Sequence, residues 1–147
     1  MFETIHTEAT AFLARDPFLL QSQVEVIPED KGDILTAITL AVAKLGIVAV
    51  VSTPSAKATS SNARNITAMA SVEVQVYENP VINRRRANIC AAGTAARHIA
   101  AALNLEKLPG GDTIVFKEIT SGALDKATLV FSVSFEALTT LEKENKK

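Results

Sequence analysis

The chain has 147 residues, of which 48% are hydrophobic and 21% charged, with a formal net charge of −1. That is the size and texture of one ordinary globular domain, able to bury about two thirds of its unfolded surface. The lack of a basic excess argues against a general nucleic-acid binder, and one cysteine, Cys90, excludes an internal disulfide or a cysteine-built metal cluster.

The first residues carry no basic leader followed by an apolar run, so no signal peptide is expected. The longest apolar run, 46–51, is far too short to span a bilayer, and a soluble protein made in the cytoplasm is expected. Ile5, Ala9, Phe12 and Leu13 recur at helical spacing until Pro17, which predicts a short amphipathic helix over 3–15. Residues 23–28 alternate and predict a short strand with Val24 and Val26 inward. Asp30 and Asp33 then stand where a helix start wants carboxylates, to accept from free amides and meet the positive end of the dipole. Ile34, Ile38, Ala41, Val42 and Leu45 form the stripe of that helix, and Gly46 sits where a left-handed residue ends it.

Residues 47–53 are apolar and β-branched, and predict a strand. Residues 54–65 are small and polar, with little to bury. They predict a mobile loop between two hairpin strands, with Lys57, Ser60, Ser61, Asn62 and Arg64 along it. A loop of that length in a compact domain is usually functional or disordered.

The chain is organised around 66–104. Ala68, Ala70, Val72, Val74 and Val76 make one face of a long strand. Thr67, Met69, Ser71, Glu73, Gln75 and Tyr77 make a wetter one. Pro80 cannot donate to a sheet ladder and stops it. Asn83 is expected to cap a helix over 87–103 whose stripe is Ile89, Ala92, Ala96, Ile99 and Leu103. Its many alanines either let neighbours approach on several sides or simply favour the helix. Residues 107–112 read as a turn, 113–120 as a strand and 121–127 as a hairpin connection. Residues 128–138 are the clearest strand. Leu129, Phe131, Val133 and Phe135 point inward, each worth about 1.5–3 kcal/mol when buried. A charged tail over 139–147 is expected to fray.

The order α-β-α-β-β-α-β-β, with hairpins rather than regular β-α-β units, predicts one α+β domain over 1–147. It would be an antiparallel or mixed sheet with helices packed on one face. Residues 1–29 form its N-terminal helix and strand. The other sheet face, with Glu73, Gln75, Ser132 and Ser134, meets solvent or a partner.

Nothing in the sequence is a catalytic signature. His6 and His98 stand in no ligand or triad spacing, so no metal site is expected. Gly110-Gly111 and Ser121-Gly122 read as turns, not phosphate-cradling loops, and no cofactor is expected. Arg84, Arg85 and Arg86 form the densest basic run. At the start of the expected helix they would oppose its dipole by a few tenths of a kcal/mol. They are either plain surface or contacts to a neighbouring subunit or a phosphate. Glu73, Glu78 and Glu136, beside Gln75 and Tyr77, are candidate partner residues across a subunit boundary.

The element order over 30–138, the run VEVQVYENPVINRRR and the closing TLVFSVSFEAL resemble the tail-terminator (tail-completion) proteins of tailed bacteriophages. The resemblance implies a non-enzymatic virion protein assembled in the host cytoplasm. It would form a ring, hexameric in that family, at the head-proximal end of a tail. Such a ring stops tube addition and presents a docking surface to the neck. Implied partners are further copies of the chain, the tail tube protein, a sheath protein and neck or connector proteins. DNA would only pass through the lumen, and no membrane is involved. Such a ring needs two different complementary patches per subunit. A connector or stopper protein of the neck is the alternative within that world. A small α+β enzyme or ligand-binding domain with a pocket between helices and sheet is the alternative outside it.

Overall fold

The computed structural model describes residues 2–30, 32–61, 65–85 and 90–142. The element order is the expected one with two short helices and one strand added. After a single 3-10 turn at Phe2–Thr4 come α1 (Ile5–Ala14), α2 (Pro17–Gln21), β1 (Glu25–Pro28), α3 (Ile34–Leu45) and β2 (Ile47–Val51). Then follow β3 (Ser55–Ser61), β4 (Asn65–Glu78), α4 (Pro80–Asn83), α5 (Ala92–Leu103), β5 (Ile114–Ala123) and β6 (Leu129–Glu142). The class is α+β. The strands form a six-stranded mixed sheet, β1-β2-β4-β6-β5, with β3 also paired to β4. Among these strands β1 and β2 run parallel, and the other pairs are antiparallel.

The expected alternation in β4 is realised. Ala68, Ala70, Val72, Val74 and Val76 are buried, opposite Thr139, Ala137, Phe135, Val133 and Phe131 of β6. This face meets α1, α2 and α5 through Ile5, Leu13, Leu19, Ala92, Ala96, Ile99 and Leu103 in one apolar core. Val133 and Phe135 are buried as expected, whereas Phe131 is only partly covered and Leu129 is exposed. Leu129 pairs with Ala123 beside the turn.

The helices do not all pack on one face. Every residue of β2 is buried. Ile47, Ala49 and Val51 join the first core, while Val48 and Val50 join a second with Ile38, Ala41 and Val42 of α3 and Tyr77 of β4. So α3 covers the opposite face over β1 and β2. Its ends follow the sequence: Asp33 accepts from the Thr36 amide, and Gly46 takes φ +81°. The bonds from Thr36, hydroxyl first and then amide, hold the Asp33 carboxyl below its usual range.

Residues 55–61, expected as a loop, are strand β3. Its side chains up to Ser60 are exposed, so its order comes from backbone bonds to the long partner β4 rather than from burial. Lys57, Ser60 and Ser61 therefore belong to a strand, while Asn62 and Arg64 lie outside the described residues. The strand at the end of the chain also outruns expectation, since β6 continues through Glu142 opposite Asn65.

Pro17 ends α1 as expected and then opens α2, at the position where its missing N–H costs nothing. Asp16 caps α2 through the Leu19 amide at 3.0 Å, and its Oδ2 lies 2.7 Å from His98 Nε2 on α5. The Phe18 ring lies against the same imidazole, with centroids 4.5 Å apart. Replacing Asp16 by Ala removes cap and pair together. Stability should fall by about 1–2 kcal/mol, read as a lower urea midpoint with unchanged far-UV circular dichroism.

Candidate interaction surfaces

The sequence ENPVIN, expected as the strand end and helix start of a partner surface, folds into an internal node. Asn79 caps α4 by accepting from the Val81 and Ile82 amides. Asn83 is fully buried and does not cap α5, whose N-cap position is Ala91; its Nδ2 donates to Glu78 Oε2 at 2.7 Å and to the Cys90 carbonyl at 2.9 Å. Glu78 Oε1 accepts from the Ala92 amide at 3.0 Å. The long helix begins at Ala92, behind Ala91 with no capping side chain of its own, so a buried carboxylate from β4 does that work. Glu78 is therefore satisfied inside the subunit, 6% exposed, and not at a partner surface.

This relocation also changes the arginines. Arg84 follows the last residue of α4 and Arg85 lies in the next turn, so both precede α5 by several residues. They do not oppose a helix dipole. Both side chains are exposed, and no carboxylate pairs with either among the described residues. Arg86 lies outside the described residues.

Beyond α3, no described element covers the second sheet face. Glu73 and Glu136 stand on it half-buried, with Ser134 Oγ 3.4 Å from Glu73 and Lys117 Nζ 3.9 Å from Glu136. The bulge between Phe116 and Glu118 brings Lys117 and Glu118 into this surface. Two shallow depressions of about 460 and 350 Å³ lie here. One is walled by Met69, Val115 and Leu138, the other by Ser71, Glu73 and Glu118. Leu138 and Val115 are 59% and 41% exposed.

Gln75 stays at the edge of this face, where its Oε1 accepts from the Tyr77 hydroxyl at 2.7 Å. Tyr77 itself, expected as a partner residue, is buried under α3. Burial first, and the nearby Glu29 and Glu73 carboxylates next, raise its phenol above the ordinary value of 10.0. The folded state then holds this proton more tightly than the unfolded chain. Stability should be intact below pH 10 and decline as pH rises beyond it. Tyr77→Phe should flatten that decline, measured as urea midpoints across the alkaline range.

His6 Nε2 lies 2.6 Å from Asp30 Oδ2, tying α1 to the turn before α3. Both histidines thus serve packing between elements. Among the described residues, no three His, Cys, Asp or Glu side chains gather as a metal-holding group. Nor is any described helix long and apolar enough to cross a membrane.

The fold recurs in a solved particle. A chain in the virion of a native gene transfer agent particle matches with a TM-score of 0.65 at 14% identity. The match covers 91% of this chain and 92% of that one. At that identity the likeness carries the fold alone. No family model matches the chain, and no curated protein does.

The sequence pattern does not mark Glu118, Val115, Leu138 or Val81 as surface features. Val115 and Leu138 have the character of ordinary strand residues, and only the strand register places them together on the uncovered face. Val81 is 62% exposed on α4, three positions before Arg84.

Proposed function

We propose that the chain is a non-enzymatic structural protein of a virus-like tailed particle. In this reading it is a tail-terminator subunit that forms a ring, hexameric as in the family it resembles, between tail tube and neck. The observation that carries the reading is the fold shared nearly end to end with a virion chain. Three features agree with it. Beyond α3 one sheet face is uncovered by the described residues, Arg84 and Arg85 are exposed with no carboxylate on them among the described residues, and the β3–β4 hairpin is exposed on the β3 side over its outer length. The remaining partners follow from that position: the tube protein below, with a sheath where the tail has one, and a neck protein above.

Particle assembly in a host lacking this chain tests the reading. Tubes of uncontrolled length, without heads, are expected. Headless tails of normal, uniform length would overturn the terminator role and favour a connector. Normal, infectious particles would overturn both.

A further inference from the structure

The bare face and the exposed arginines are complementary, and they lie at different places on one subunit. The face carries the carboxylates of Glu73, Glu118 and Glu136 against two ammoniums, Lys117 and, opposite Met69 on β3, Lys57, among the described residues. It therefore keeps a negative excess beside the apolar side chains of Val115 and Leu138. The knob at the end of α4 pairs opposite properties. Val81 and Arg84 are three positions apart, and Arg84 keeps helical dihedrals, so the two share one side; Arg85 follows in the turn. It offers an exposed valine next to two guanidiniums.

We infer that this knob on one copy seats on the bare sheet face of the next copy, arginines on carboxylates and Val81 on the Val115–Leu138 wall. The inference rests on the ring reading above and names the two surfaces that close it. Guanidiniums suit the site because their planar fork can bond a carboxylate through two parallel N–H groups, which a lysine cannot. Because the two patches differ, the contact is head-to-tail, and repeating it gives a closed ring or an open helix, not a two-fold dimer. Glu78 and Tyr77 have no part in it, being enclosed in the subunit.

Charge reversal tests the pairing with the full chain, using light scattering for mass and circular dichroism for fold. Arg84→Glu with Arg85→Glu, and separately Glu73→Lys with Glu118→Lys, should each raise the concentration needed for assembly at least tenfold. The chain carrying all four reversals should assemble again within about threefold of wild type, because the charges are exchanged rather than lost. Mixing the two doubly reversed chains should also restore assembly, since alternating copies then match at every boundary. Undiminished assembly of either double variant would overturn the pairing. So would a four-fold variant and a mixture that both stay dissociated. A wild-type chain that never associates would instead overturn the ring, and this inference with it.

Discussion

Glu78→Ala should be among the most damaging substitutions in the chain, lowering stability by roughly 3–5 kcal/mol. The carboxylate is buried and accepts from the Ala92 amide and from Asn83 Nδ2. Hydrogen bonds to charged groups are worth about 1.5–3 kcal/mol each, and both donors would be left enclosed. The loss is a large share of the roughly 5–15 kcal/mol typical of a domain. Glu78→Gln keeps an acceptor oxygen but turns an NH2 toward one of the two donors, and should cost about half as much. Urea unfolding of the three proteins measures the series. A cost below about 1 kcal/mol for the alanine variant would remove Glu78 as the organiser of this node.

Gly46→Ala should have a comparable effect by a different route. The residue has φ +81°, and an added Cβ would stand 2.4 Å from the Asn83 nitrogen and 2.7 Å from its Cα. The left-handed conformation costs a non-glycine residue about 1–2 kcal/mol, and forcing the backbone of α4 away costs about 1–3 more. The same backbone answers to β4, because the Asn79 amide donates to the Gly46 carbonyl at 2.8 Å. Gly111 provides the control. Its φ is +99°, yet a Cβ added there would meet nothing within 4 Å, so Gly111→Ala should show only the conformational cost. Equal midpoints for the two variants would mean that α4 yields freely to the clash.

Much of this architecture is written locally. The two-residue period of β4, the Asp33 cap and the Gly46 stop each depend on a few neighbouring residues, and all three stand in the structure as the sequence predicts. What escapes the sequence depends on contacts across the fold. The apolar positions of α3 say that it packs, but not on which face of the sheet. The clue lies in β2, where IVAVV is apolar at every position, as a strand covered on both sides must be. Asn83 has the chemistry of a cap but is not the cap of α5. Its enclosure between Gly46, Glu78 and Cys90 arises only when α4 folds back on the strand. Strand β3 is illegible because its Ser, Ala, Lys and Thr side chains bury almost nothing; the long partner holds it.

The candidate surface is half legible. Glu73 and Glu136 lie on the bare face as expected, and Arg84 and Arg85 are exposed. Glu78 and Tyr77 are equally polar in the one-dimensional pattern, but α3 and the α5 start claim them. A carboxylate that ends a strand can serve a helix start or a partner, and only the distances decide.

In the function proposed above, copies of this chain close into a ring by head-to-tail contacts. Electron-microscope imaging of the purified chain across a range of concentrations, alone and with tail tubes, tests it most directly. Closed rings of one fixed copy number, six if the resemblance holds, should cap one end of the tube. Single 15.6 kDa subunits at every concentration, with tube ends left bare, would contradict it.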